Sequence, residues 1–334
     1  MAAVFVVIVN YRTPALAIEC LASLQSELAA LRGGRVVVVD NASGDDSIRL
    51  IMEAIEIRGW ASWAELMALP RNGGFAYGNN RAIERVRDHD GAFASIVFLN
   101  PDAVVLPGCI ATLVRLFDQR ADVGIVGASL EDETGRRQRS AHVFPSAVSE
   151  LEGAARLGPL SRMVGRRAID LEASEVSCEC DWVSGACFAV RRDLLDEIGG
   201  LDEGYFLYFE ETDFCWRARR AGWACWYVPE VRVVHREGSA TGIRARRTRR
   251  PAYWFASRRR FFARAYGQAG LALADGCWAI GRASLLLRRL LHLGGLNRDE
   301  AEPKQFFIDM MLGDVKAITR GELRDLQVVG ATWT

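Results

Sequence analysis

Val4-Phe5-Val6-Val7-Ile8-Val9 is an unbroken apolar run closed by the polar tip Asn10-Tyr11-Arg12. A strand that alternates faces water on one side; one that is apolar throughout is covered on both, as in a parallel sheet. The neighbouring residues fit a parallel sheet. Thr13-Pro14 has the form of a helix start, with Thr as N-cap and Pro at the first helical position. Leu16, Cys20, Leu21, Leu24 and Leu28 recur at helical spacing until Gly33-Gly34. Residues 36–39 form a second apolar run, ending at Asp40-Asn41-Ala42-Ser43. A helix is expected over 46–57 and a short strand over 66–69. The glycine-rich loop Asn72-Gly73-Gly74-Phe75-Ala76-Tyr77-Gly78-Asn79-Asn80 opens a helix to about Arg87. Residues 95–99 are a third buried strand, closed by Asn100-Pro101-Asp102. Residues 107–119 read as helix and 123–128 as strand. This rhythm predicts an α/β fold with a doubly wound, mostly parallel sheet and right-handed crossovers. Ligands bind such sheets beyond the carboxyl ends of the strands. Three strands deliver polar tips to that one edge.

The pattern then loosens. Residues 130–177 are polar, Arg-rich and weakly periodic, and are read as a hairpin followed by a variable loop. Order returns over 181–190, and a short helix over 193–198 stops at Gly199-Gly200. The aromatic run Tyr205-Phe206-Leu207-Tyr208-Phe209 leads through Glu210-Glu211-Thr212-Asp213 into a helix over 214–221. Two strands are expected over 223–228 and 231–234, the second ending at His235. Further on, nine arginines between Arg244 and Arg264 are interleaved with Tyr253, Trp254, Phe255, Phe261 and Phe262. The stretch 285–293 reads as an amphipathic or apolar helix. The division expected is a catalytic domain over 1–240 and a helical extension over 241–334.

Composition excludes several classes. Half of the 334 residues are apolar and the net charge is zero, so nothing global favours nucleic acid. All but two of the 42 basic residues, Lys304 and Lys316, are Arg. The eight cysteines contain no CxxC pair, which argues against structural zinc and for buried, reduced thiols. The N-terminal run lacks the basic flank and small-residue cleavage site of a signal peptide. No run of about 18 uncharged apolar residues is found, so membrane association is expected to be peripheral. The reading is a cytoplasmic protein, peripheral on the inner face of the membrane where it meets lipid at all.

Few residues are candidates for chemistry. Asp102 at a strand end suits a divalent cation on a diphosphate, although an Asp after Pro is equally a turn residue. His235, at another strand end, is either a second ligand or a structural imidazole. Glu210, Glu211 and Asp213 crowd a helix start, where the dipole alone favours acids. Against the aromatic run, a carboxylate would also lose solvation and become a better base. The glycine-rich loop permits close backbone approach to a diphosphate. It is neither a P-loop nor a dinucleotide fingerprint.

Taken in order, Val9-Asn10-Tyr11-Arg12, Val39-Asp40-Asn41-Ala42-Ser43, the loop from Asn72 to Asn80, Leu99-Asn100-Pro101-Asp102, Trp182-Val183-Ser184-Gly185-Ala186, Phe206 through Asp213 and Arg217 through Trp223 resemble family 2 glycosyltransferases. Within them the chain is most similar to the bacterial rhamnosyltransferase-like branch, over about residues 4–240. The resemblance implies a GT-A fold and a single inverting displacement. It implies that Asp40 reads the nucleotide base beside Asn10, Tyr11 and Arg12. Asn72, Gly73, Gly74, Asn79 and Asn100 would complete the donor site. Asp102, with His235, would hold Mg2+ or Mn2+. Glu211 would be the catalytic base, and Trp182, Glu210 and Asp213 would face acceptor or sugar. Asn100 departs from the family's Asp-X-Asp, and Glu211 replaces the usual Asp, reaching one methylene further. The donor implied is dTDP-rhamnose, with UDP-sugars as the alternative. The acceptor implied is a lipid-linked precursor of a cell-wall or surface polysaccharide. Two further classes stay open: a sugar nucleotidyltransferase, whose basic glycine-rich loop is missing after the first strand, and a catalytically silent binding protein. The arginine-rich segment is expected on an anionic membrane, on the donor diphosphate or on another subunit.

Overall fold

The computed structural model describes residues 3–31, 33–88, 93–156, 175–236, 249–291 and 305–323. Strands β1 (Ala3–Asn10), β2 (Arg35–Asp40), β3 (Ala64–Ala68) and β4 (Phe93–Leu99) alternate with helices α1 (Pro14–Ala30), α2 (Ser47–Ile57) and α3 (Phe75–Asp88). They pair in the order β3-β2-β1-β4, parallel throughout. Val6, Val7, Ile8 and residues Val36, Val37, Val38 and Val39 are sealed from solvent, as apolar strands covered on both faces must be. Burying each such side chain contributes about 1.5–3 kcal/mol.

The next elements are β5 (Ala103–Val105), α4 (Cys109–Gln119), β6 (Val123–Glu131), β7 (Ala141–His142), α5 (Ala147–Ala155), β8 (Cys178–Cys180), β9 (Trp182–Val183), β10 (Cys187–Arg191) and α6 (Arg192–Ile198). They are followed by α7 (Glu210–Arg220), β11 (Ala224–His235), α8 (Ala252–Leu290) and α9 (Phe306–Thr319). β10 enters antiparallel between β4 and β6, β11 runs parallel to β6, and β5 and β8 pair antiparallel with β11. The α/β architecture expected from the sequence is present, with a mixed half beside the parallel one.

Several elements differ from expectation. The two strands ending at His235 are one, β11; its register shifts between Val228 and Arg232, where Pro229 has no N–H for the ladder. Helix α7 begins at Glu210, not Phe214. Helix α5 lies inside the supposed variable loop, and residues 157–174 of that loop fall outside the described residues. Thr13 does not cap α1; its hydroxyl donates to Asn10 Oδ1 at 3.1 Å.

The chain forms two compact units. One comprises Met1–His142, Leu171–Phe206 and Glu210–Gly242; the other comprises Val143–Asp170, Leu207–Phe209 and Ile243–Thr334. The expected boundary at residue 240, and Arg244, Arg246 and Arg247, lie outside the described residues. In the second unit the expected helix over 285–293 is the end of the 39-residue α8, broken only by Gly267 at φ 73°. By length and composition α8 could cross a membrane, although Arg264, Asp275 and Arg282 interrupt it, so no uncharged apolar run of the length sought in the sequence is present in it. The arginines expected on lipid are partly internal. Arg258 is sealed among Glu150, Asp275 and Asp314, Arg259 binds Asp314, and Arg249 binds Asp309. Phe255, Phe261 and Phe262 are buried too.

Candidate active site

The carboxyl ends of β2, β1 and β4 are adjacent because Asn10 pairs with Asp40 and Ile8 with Leu99. At the first two ends the polar tips bind one another. Asn10 Nδ2 donates to Asp40 Oδ2 at 2.9 Å; Ser43 donates from its N–H to Asp40 Oδ1 at 3.0 Å and from its hydroxyl to Oδ2 at 2.6 Å. Asp40 and Asn10 are completely buried. The resemblance implies that Asp40 reads a base, but both its oxygens are engaged in holding this turn. Ser43 in turn takes the Arg12 backbone N–H at 2.9 Å, while its carbonyl accepts from Arg12 Nε at 2.9 Å. Arg12 is thereby fixed at φ 59°, a conformation that costs a non-glycine residue about 1–2 kcal/mol. Tyr11 is 38% exposed, with the Arg12 guanidinium 5.1 Å from its ring centre. These two side chains, rather than Asp40, present the tip to solvent.

The glycine-rich loop is bound to the same edge. Asn41 Nδ2 donates to Asn72 Oδ1 at 3.0 Å and to the Gly74 carbonyl at 2.9 Å. Gly74, at φ 91°, lies so close to Phe206 that a Cβ would sit 2.1 Å from the Phe206 carbonyl oxygen. A Cβ on Gly73 would strike Tyr77, and one on Gly78 would strike Val9. These glycines are thus required by packing within the protein. Asn79 is buried and donates to the Phe75 carbonyl at 2.9 Å.

At the β4 end, the Asn100 N–H donates to the Ala186 carbonyl at 2.9 Å. This ties Asn100-Pro101-Asp102 to the segment Trp182-Val183-Ser184-Gly185-Ala186. β5 and β11 then place Ala103 opposite His235, and the Arg236 N–H donates to the Asp102 carbonyl at 3.1 Å. His235 Nε2 stands 3.3 Å from Asp102 Oδ1, and both side chains are buried. Apart from that contact Asp102 Oδ1 has no hydrogen-bond partner, and His235 Nδ1 has none. Leaving such an oxygen unsatisfied costs about 1–3 kcal/mol, which a bound cation would relieve. One carboxylate and one imidazole suit Mn2+ or Mg2+ when phosphate oxygens and water complete the shell. Among the described residues no group of three or more His, Cys, Asp or Glu side chains converges on a metal position, so those residues supply at most part of such a shell.

Glu211 stands in the first turn of α7 with its carboxyl against Gly185; a Cβ there would lie 3.5 Å from Oε1. Its Oε2 is sealed from solvent and lacks a hydrogen-bond partner. Burial pushes this carboxyl above the usual glutamate range, opposed by the backbone N–H groups of Glu211, Gly185 and Thr212. Gly185 thus carries Glu211 while Ala186 holds Asn100, so one short segment joins the two candidate acidic centres.

The remaining candidates divide. Glu210 is buried. Asp213 accepts from Tyr205 Oη at 3.2 Å and Arg217 Nε at 2.8 Å, and Arg217 also donates to the Ile198 and Gly200 carbonyls. Asp213 thereby helps to hold the chain ahead of α7. Trp182 stacks on His142, ring centres 4.0 Å apart, and burial with nearby Arg139 lowers His142 to about 4. The sequence does not single out Ser43, Gly185 or His142. Ser43 carries a signal, since a serine three residues after an aspartate can donate to its carboxylate. His142 carries none, because its partner is 40 residues further along the chain.

The strand ends of an α/β sheet thus bring together polar tips on parallel strands, a buried acid beside a histidine, and a glutamate with one solvent-sealed oxygen. The profile of glycosyltransferase like family 2 matches residues 2–292, and the chain belongs to that family. It is 30% identical, over 66% of its length and 72% of the relative's, to the N-acetylglucosaminyl-diphospho-decaprenol L-rhamnosyltransferase of Mycobacterium tuberculosis. It is 28% identical to the rhamnosyltransferase WbbL of Escherichia coli over 48% of this chain and 60% of that one. Among solved structures it resembles the mannosyltransferase PcManGT of Pyrobaculum calidifontis, described with GDP-Man and Mn2+. The TM-score is 0.55 at 17% identity, covering 96% of this chain and 87% of that one. Residues 1–349 of S. aureus TarS in complex with UDP give a TM-score of 0.52 at 16% identity, covering 98% and 83%. These likenesses establish a GT-A-like fold with a C-terminal helical region.

Proposed function

We propose that this family 2 glycosyltransferase moves rhamnose from dTDP-rhamnose to a hydroxyl of a lipid-linked glycan by one inverting displacement. The observation that carries the proposal is Glu211: a carboxylate with an unpartnered, solvent-sealed oxygen and a raised pKa, set on the segment that also holds the Asp102 turn. Glu211 takes the proton from the attacking hydroxyl, a contribution of about 10²–10⁴-fold. Tyr11 and Arg12 line the nucleotide, with Asp40, Asn10 and Ser43 holding them in place. Asp102 and His235 would hold the divalent cation, which would supply Lewis-acid stabilisation of a departing diphosphate. Trp182, fixed by His142, lies on the acceptor side. The Mycobacterium tuberculosis relative, whose name specifies a rhamnosyl donor group and a decaprenol-linked acceptor, supports this choice of donor and acceptor.

The decisive experiment offers the protein dTDP-rhamnose, UDP-sugars and GDP-mannose, with Mg2+ or Mn2+ and with chelator, and follows release of nucleoside diphosphate with and without a polyprenyl-diphosphate sugar. Acceptor-stimulated release from dTDP-rhamnose alone is expected. Turnover of a UDP-sugar instead would reassign the donor while leaving the site intact. Formation of a nucleotide sugar from a nucleoside triphosphate would replace transfer with nucleotidyl chemistry.

A further inference from the structure

The distal part of α8 exposes an apolar face that the second unit leaves uncovered. Leu273, Ile280, Leu287 and Leu291 recur at seven- and four-residue intervals, and all are more than half exposed. At 100° per residue they fall on one line of the helix, and Leu290 and Leu286 extend the face to an arc of about 140°. No exposed acidic side chain interrupts α8 from residue 268 onward; its one carboxylate there, Asp275, is turned inward to Arg258. The basic residues stand at the borders. Arg282 and Arg289 follow one edge of the arc; Arg288 lies beyond the other and donates to the Ala155 carbonyl.

We infer that this face of α8 is a docking surface for an anionic lipid bilayer, with the helix in the plane of the interface. Charge chooses the occupant. A helix with a broad apolar face bordered by arginines gains both from burial among acyl chains and from anionic headgroups. A second copy of this chain would bring more arginines and no exposed acid from this helix to meet them. The arc is also wider than the narrow seam of a two-helix coiled coil. Spanning is disfavoured because the opposite face is packed against α5, where a Cβ on Gly281 would strike the Leu151 carbonyl, and because Leu271, Trp278 and Leu285 on that face are buried. The inference deepens the lipid-linked acceptor of the proposed function and is scored without any transfer reaction, so the two can fail separately.

The test is flotation of the full chain with vesicles of phosphatidylcholine alone or with phosphatidylglycerol, at low and high salt, beside its mass in solution. Binding to the phosphatidylglycerol vesicles, weakened by salt, is expected. Ile280→Glu and Leu287→Glu change exposed positions and should each lower partitioning about tenfold or more, with donor hydrolysis unchanged. Equal recovery of wild type and both variants on anionic vesicles would overturn the proposal. So would equal binding to uncharged vesicles, or a dimer in solution that both variants convert to monomer.

Discussion

Glu211 is the residue at which structure and chemistry meet most directly. Its position at a helix start is readable from the sequence. Its setting is not, because Gly185 lies 26 residues away and only the fold brings it under the carboxyl. Glu211→Gln keeps the shape and removes the base, so turnover should fall by about 10²-fold or more with donor affinity unchanged. The raised pKa adds a sign. The base must be ionised, so kcat/KM should climb as pH rises through a value above the usual glutamate range. A pH series on kcat/KM checks this, and the Gln variant should lose that limb; near wild-type turnover would remove Glu211 from the mechanism. Asp102→Ala should weaken cation-dependent donor binding, measured by calorimetry with and without chelator, and His235→Ala should do so less. Chelator-insensitive binding by the wild type would end the cation assignment. Asp40 teaches the opposite lesson. A strand-end acid invites a ligand role; its Ser43 and Asn10 bonds also brace the turn, and the nearer of those partners is visible in the sequence three residues on.

Elements with long apolar runs are legible in the sequence, and short or borrowed ones are not. β1, β2 and β4 announce themselves because each holds an unbroken apolar run of at least four residues. β5 has only three residues, Ala103-Val104-Val105, and exists because β11 offers it an edge. α5 has a capping box in which Ser149 stands where Glu or Gln is usual, so its sequence signature is silent. The glycine-rich loop is legible as a loop, but the cause of its glycines is not. They answer Phe206, Tyr77 and Val9 before any phosphate. Gly74→Ala should therefore destabilise the first unit without any ligand present: a Cβ at φ 91° faces a backbone oxygen, which has no side-chain freedom with which to yield. A loss of about 2 kcal/mol or more in urea unfolding of the apo protein is expected. An unchanged midpoint would show that the loop gives way instead.

At the scale of the whole chain, the α/β class is written in the alternation of runs, while the directions of the strands are not. β10, Cys187-Phe188-Ala189-Val190-Arg191, is as apolar as β1, yet it runs antiparallel, because periodicity reports burial and not direction. Long-range charge is equally hidden. The arginine-rich segment reads as a surface, but the structure joins Arg258 to Glu150, Asp275 and Asp314 from three separate stretches of chain. Removing one partner of a buried ionic network typically costs about 3–5 kcal/mol, so Arg258→Met should unfold the second unit at markedly lower temperature. The network also carries a pH signature. Burial and the neighbouring Asp275 carboxylate push Asp314 up to about 7, outweighing the pull of Arg259 and Arg258. An aspartate raised in this way binds its proton in the native state over a pH range where the unfolded chain has released it. Between about 4 and 7 the native state therefore holds more protons, and stability falls as pH rises through that window. Asp314→Asn removes the titration whatever its effect on absolute stability, so the melting temperature of the variant should be flatter than that of the wild type over this range. Calorimetric melting curves at closely spaced pH values decide it: parallel profiles would mean that Asp314 is already ionised at the acid end of the window and that the buried arginines dominate the network after all.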